Sequence, residues 1–177
     1  MATGRGAASS MHVPRELTSR MARRLALLVL DVDGVLTDGG LWFGPRGEIL
    51  KRFHVRDGHG IKLVQAAGVQ VALISGRRSQ AVSARARELG IRHVYQGVAD
   101  KNQVLERLLR KLGITDTQVA CMGDDTPDIP LFIRAGFAVA VRDAHPLALA
   151  AAHCATTLGG GQGAVREVCD WLLAARG

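Results

Sequence analysis

Six apolar residues, Leu25 to Leu30, run without interruption into Asp31-Val32-Asp33-Gly34, and this junction limits the folds open to the chain more than any other feature. A run of this length, rich in Leu and Val, is strand-sized. An all-apolar strand must be covered on both faces, which is the condition of a parallel sheet between helices. Both carboxylates then stand at the carboxyl end of a buried central strand, where open α/β sheets bind their ligands. Alternation along an extended chain directs the two side chains the same way, and like charges so close need a cation or a shared proton. The pair points to metal binding or proton transfer.

The same pattern repeats downstream. Short apolar runs alternate with stretches of helical period, so strands are expected at 25–31, 69–74, 93–95, 118–122 and 137–141. Helices are expected near 58–67, 78–89, 101–112, 127–135, 146–152 and 164–174. Gly68, Gly90 and Gly113 sit where helices stop; Asp100, and Asp125 or Thr126, sit where they start. The fold class is α/β, a Rossmann-like parallel sheet with helices on both faces. One segment breaks the alternation: 40–44 and 48–55, around Pro45-Arg46-Gly47, read as a β-hairpin inserted after the first strand. A two-stranded ribbon cannot bury its Leu41-Trp42-Phe43 run, so something else must cover it.

A chain of 177 residues suits one domain, here 25–177, behind an N-terminal extension over 1–24. Within the extension, Met1 to Ser10 read as disordered and Pro14 to Arg24 as a short helix. The extension holds five arginines against one glutamate, so it carries +4 of the +7 formal charge. The body is only mildly basic and has no Lys/Arg run interleaved with aromatics, which argues against a nucleic-acid partner. No apolar run approaches the ~20 residues of a membrane span, and no small-residue cleavage pattern follows Leu30. Cys121, Cys154 and Cys169 lack CxxC spacing, so neither a disulfide framework nor a zinc site is expected, and a cytoplasmic location fits.

Three further motifs close other strands. Ser75-Gly76 presents a hydroxyl and free backbone N–H groups to an anion, with Arg77 and Arg78 behind them. Lys101 falls in the first turn of the helix behind Asp100, a poor place for a cation unless a bound anion offsets the helix dipole. Gly123-Asp124-Asp125-Thr126-Pro127-Asp128 supplies more carboxylates than capping needs. Mg²⁺ is usually held by one or two carboxylates plus waters and phosphate, a count that Asp31 and Asp124 satisfy.

In order and spacing, DVDGVLTDG, SGR, Lys101 after QGVAD, and GDDTPD resemble the four motifs of the haloacid dehalogenase superfamily of phosphotransferases. The hairpin, FHVRDGHGI at 53–61, AVAVRDAHP at 138–146 and GGGQGAVREVCD at 159–170 are similar to the 3-deoxy-D-manno-octulosonate 8-phosphate (KDO 8-phosphate) phosphatase family within it. That resemblance implies Asp31 as nucleophile, and Asp33 as the acid toward the leaving oxygen and later the base toward water. It implies Mg²⁺ held by Asp31, the Asp33 carbonyl and Asp124, with phosphoryl oxygens on Ser75, Gly76 and Lys101. Asp125 and Asp128 would support the metal site. It also implies a core without a large cap, and a homotetramer whose hairpin helps close a neighbour's site.

Gln162 departs from the basic residue expected in the glycine-rich tail. Lys51, Arg56 and Lys62 are candidates to meet a sugar carboxylate, with Arg77 and Arg78 as further substrate contacts; each can also be a solvated or interfacial charge. His54, His59 and His145 read as turn or interface residues, since Mg²⁺ prefers oxygen. Phosphatases of nine-carbon, sialic-acid-type sugar 9-phosphates share the same motifs. A receiver-like signalling domain also uses an acidic pocket, an aspartyl phosphate and a lysine, but places its phosphoacceptor away from the acidic pair.

Overall fold

The computed structural model describes residues 19–176. The readings for Met1 to Ser10 and for most of the first helix lie outside those residues; α1 (Ser19–Arg24) is the described part of that helix. Strand β1 (Leu27–Leu30) precedes the hairpin of β2 (Trp42–Gly44) and β3 (Gly47–Leu50). Helix α2 (Val55–Ala66) then leads into β4 (Gln70–Ser75), α3 (Gln80–Leu89), β5 (His93–Gln96) and α4 (Lys101–Leu112). After β6 (Val119–Gly123) come α5 (Ile129–Arg134), β7 (Phe137–Ala140), α6 (Pro146–Ala151), β8 (Cys154–Ala155) and α7 (Ala164–Arg176).

Six of the strands form one sheet in the order β5-β4-β1-β6-β7-β8, parallel throughout. β1 lies between β4 and β6, with Leu27 beside Gln70 and Val119, and Leu30 beside Leu73 and Met122. All four residues of β1 and all four of β7 are buried, as strands covered on both faces require. Each fully buried Leu here contributes about 1.5 to 3 kcal/mol through the apolar surface it removes from water. α2 packs along α7, which also holds α1, while α4, α5 and α6 pack in sequence. No described helix is long and apolar enough to cross a membrane.

The stops and starts fall where the sequence places them. Gly90 and Gly113 close α3 and α4 at φ +70° and +66°, and Asp100 caps α4 by accepting from the Gln103 amide at 3.2 Å.

Several boundaries differ from expectation. The second hairpin arm ends at Leu50, not 55, and Val55 opens α2. Phe53-His54-Val55 looks strand-like, so the helix is expected to begin only at Gly58. Gly58 and Gly60 are tolerated because α2 is pressed against its neighbours: a Cβ at either would meet Arg85 and Leu89, or Arg166 and Cys169. α3 begins at Gln80 rather than 78, since the Gln96 side chain takes the Ser79 amide at 2.7 Å and keeps 76–79 a loop. The expected helix over 127–135 divides into a 3₁₀ turn, Thr126–Asp128, and α5. β8 is an addition to the expected strands, too short to carry a pattern in the sequence.

Candidate active site

From β1 the chain fills one side of the sheet through β4 and β5, then returns to the other side at β6. Such a reversal opens a crevice above the carboxyl ends of the strands. The crevice has a volume of about 780 Å³, and Asp31, Asp33, Ser75, Gly76, Lys101, Asp124, Asp125 and Asp128 line it. Four separate strand ends deliver these residues to one place.

The deepest group is Asp31 with Lys101 and Asp128, all buried. The Lys101 ammonium donates to Asp31 Oδ1 at 2.7 Å and to Asp128 Oδ1 at 2.6 Å. Burial pushes the Asp31 carboxyl up to about 6 and outweighs the opposing pull of Lys101. For Lys101 burial acts to lower the pKa, but the charges of Asp31 and Asp128 win and raise it. Asp128 Oδ2 accepts from the amides of Asp124 (3.1 Å) and Asp125 (3.4 Å), so both of its oxygens are occupied by donors. Asp125 is exposed and caps the 3₁₀ turn through the Thr126 amide at 2.7 Å. Between these two acids, Asp128 is the one that braces the site.

Asp124 is half-buried, and burial with the charges of Asp31, Asp128 and Asp125 pushes its carboxyl up to about 7. Among the described residues no hydrogen bond reaches that carboxylate. Gly34, at φ +91°, lets the loop after β1 approach it, since a Cβ there would run into the Asp124 carboxylate. Carboxylate oxygens of Asp31, Asp124 and Asp128 lie within 4.8 Å of one another. An all-oxygen set with one undonated carboxylate and strong mutual repulsion fits a hard divalent cation. Asp128 has both oxygens taken by donors, which leaves Asp31 and Asp124 as the candidates to hold it.

Asp33 faces a different set of partners. Its Oδ1 pairs with Lys51, and Arg77 Nε lies 3.7 Å from Oδ2. Lys51 also meets Glu48 Oε2 at 3.0 Å, and Glu48 accepts the Ser79 hydroxyl. Arg77 lies over Phe43, 5.8 Å from the ring centroid, so the hairpin touches the rim of the cleft. Ser75 is buried, and its hydroxyl accepts from the Arg77 amide at 3.3 Å.

Arg56, Lys62 and Arg78 are exposed and do not line this crevice. Lys51, expected as a sugar-carboxylate contact or a solvated or interfacial charge, is instead paired inside, because β3 ends one residue earlier and turns it inward. Gln162 is exposed; its neighbours Gly160 and Gly161 pack on the loop after β1, with the Gly161 amide donating to the Val35 carbonyl at 3.0 Å. His145 caps α6 through the Leu147 amide at 3.2 Å, a turn role as expected.

Residues 91–165 match the family model of the haloacid dehalogenase-like hydrolases. Over 156 residues the chain is 49% identical to the 3-deoxy-D-manno-octulosonate 8-phosphate phosphatase KdsC of Escherichia coli strain K12, covering 88% of this chain and 83% of that protein. The chain belongs to this phosphatase family. The KDO 8-phosphate phosphatase of Yersinia pestis superposes on it with a TM-score of 0.88 at 43% identity, covering 96% of this chain and 94% of that one. The Moraxella catarrhalis KDO 8-phosphate phosphatase, solved with a magnesium ion, a phosphate ion and KDO, gives a TM-score of 0.88 at 39% identity over 92% and 94%. Membership in the KDO 8-phosphate phosphatases sets aside the receiver-like reading.

Proposed function

We propose that this chain hydrolyses KDO 8-phosphate to KDO and inorganic phosphate through a phosphoryl group carried on Asp31. The observation that carries this reading is the pairing in one crevice of a lysine-bound buried carboxylate, Asp31, with a second carboxylate, Asp33, on separate partners. An Asp31 oxygen attacks phosphorus and the bond from phosphorus to the sugar oxygen breaks, while Asp33 gives its proton to that oxygen. Asp33 then takes a proton from water, whose oxygen attacks the phosphoryl group; the bond to Asp31 breaks and phosphate leaves. Lys101 balances charge on the phosphoryl oxygens, and Ser75 with the Gly76 amide orients them. Asp128 holds Lys101 and the Asp124 loop in place. Mg²⁺, held by Asp31, Asp124 and the Asp33 carbonyl, would offset repulsion between the phosphate and the nucleophile.

The family and the names of its members support a sugar-acid substrate, and the position of Arg77 at the cleft rim supports it as a contact for the acid. Exposed Leu41, Trp42 and Phe43 support assembly through the hairpin, in the homotetramer that the resemblance implies. The reading includes a cytoplasmic enzyme serving lipopolysaccharide biosynthesis. Phosphate release measured over KDO 8-phosphate, a sialic-acid-type sugar 9-phosphate and simple hexose phosphates tests the reading. KDO 8-phosphate should give the highest kcat/KM, with activity abolished by EDTA and restored by Mg²⁺. A clear preference for the nine-carbon substrate, or full activity without metal, overturns it.

A further inference from the structure

Asp33 is held from the hairpin rather than from the sheet. Lys51 follows β3, and its side chain is only 1% exposed between two carboxylates, Asp33 and Glu48. Glu48 in turn accepts the hydroxyl of Ser79, the last residue of the loop that begins with the phosphate-binding Ser75 and Gly76. A continuous chain of polar contacts thus runs from the phosphate loop, through the hairpin, to Asp33. Lys51 engages only Oδ1. Oδ2 has Arg77 Nε at 3.7 Å and no hydrogen bond among the described residues. One oxygen is anchored and the other is left open.

We propose that Lys51, oriented by Glu48, is a positioning residue that holds the Asp33 carboxyl for proton transfer to the leaving oxygen. This rests on the acid role given to Asp33 above. A buried lysine is a costly way to dock a hairpin, because both ions must leave water and an apolar pair of similar volume would serve equally well. Orientation is what the ammonium adds: it donates to one oxygen of Asp33 while paired electrostatically with Glu48 Oε2 at 3.0 Å, so rotation of the carboxyl would break the contact. Displacement of about 1 Å at a proton-transfer group is enough to cost two orders of magnitude in rate. Lys51 therefore serves the reaction without touching substrate.

Leaving-group dependence separates this role from mere docking. The sugar alkoxide of KDO 8-phosphate needs a proton as it departs, whereas p-nitrophenolate does not, and kcat/KM reports only the steps through formation of the phosphoenzyme. Lys51→Met should lower kcat/KM for KDO 8-phosphate about 100-fold and that for p-nitrophenyl phosphate less than about 5-fold. Glu48→Gln keeps the shape and should give the same selective loss, smaller in size. Asp33→Asn provides the reference. If Asp33→Asn is selective while Lys51→Met and Glu48→Gln lose both substrates equally, the positioning role is overturned and the acid assignment stands. If Asp33→Asn shows no selectivity, the acid assignment fails and the role of Lys51 fails with it. Should Lys51→Met not fold, Glu48→Gln alone decides between positioning and docking.

Discussion

Among the carboxylates of the crevice, burial lifts Asp31 to about 6 and Asp124 to about 7 against an ordinary 3.8. The folded protein therefore holds protons that the unfolded chain has already released between about pH 4 and 7, so without metal its stability falls as pH rises through that window. Mg²⁺ binds the ionised carboxylates and should reverse this. The rise in Tm on adding saturating Mg²⁺ should be larger at about pH 8 than at about pH 5.5, and equal shifts by calorimetry would contradict the site. If Asp124 is a direct ligand, as proposed, Asp124→Ala should raise the Mg²⁺ concentration for half-maximal activity by about tenfold or more. A metal titration of phosphate release reads this; an unchanged requirement removes Asp124 from the ligands. These acids are legible in the sequence because each closes an apolar run, and an apolar run ending in a carboxylate has few other uses. Glu48 and Lys51 are not legible as a pair. Three residues apart on an expected strand they would face opposite ways, and only the early end of β3 brings them together.

The elements deliver the site with different security. β1, β4 and β6 are pinned by ladders and burial, so Asp31, Ser75 and Asp124 stand on a rigid frame. The hairpin does not pair with the main sheet, and its hold on the core includes the Lys51, Glu48 and Phe43 contacts. Its outer surface leaves Trp42 and Phe43 about three-fifths exposed, at 60% and 59%, which an isolated ribbon in water would not favour. Replacing both with Ser should weaken assembly and, through the hairpin's grip on Asp33, lower activity although no acid is touched. Light scattering and kinetics on the same preparations check both parts. Wild-type protein that is monomeric and fully active at tens of micromolar contradicts the assembly, and a dissociated variant with unchanged kcat/KM contradicts the coupling. The hairpin itself is readable from its turn residues. Its second arm is shorter than the sequence suggests because Phe53 to Val55 has strand-like chemistry, while the packing that stabilises α2 comes from α7, over a hundred residues away.

Across the whole molecule, one strand-order reversal explains why four distant motifs meet, since each follows the carboxyl end of a strand beside or near β1. That much follows from a parallel sheet and right-handed crossovers, so the meeting point is readable from the chain alone. The division of partners inside the crevice is not, because it depends on where side chains turn after the strands end. Asp31 belongs to Lys101 and Asp128, Asp33 to Lys51, and the proposed mechanism gives covalent chemistry to the first and proton transfer to the second. Intact-protein mass spectrometry of Asp33→Asn after brief exposure to KDO 8-phosphate and Mg²⁺ tests that assignment most directly. A phosphoryl group should accumulate and map to Asp31, because its hydrolysis lacks a base, and Asp31→Asn should never acquire it. A phosphoryl group on any other residue, or one that still forms in Asp31→Asn, would contradict the account.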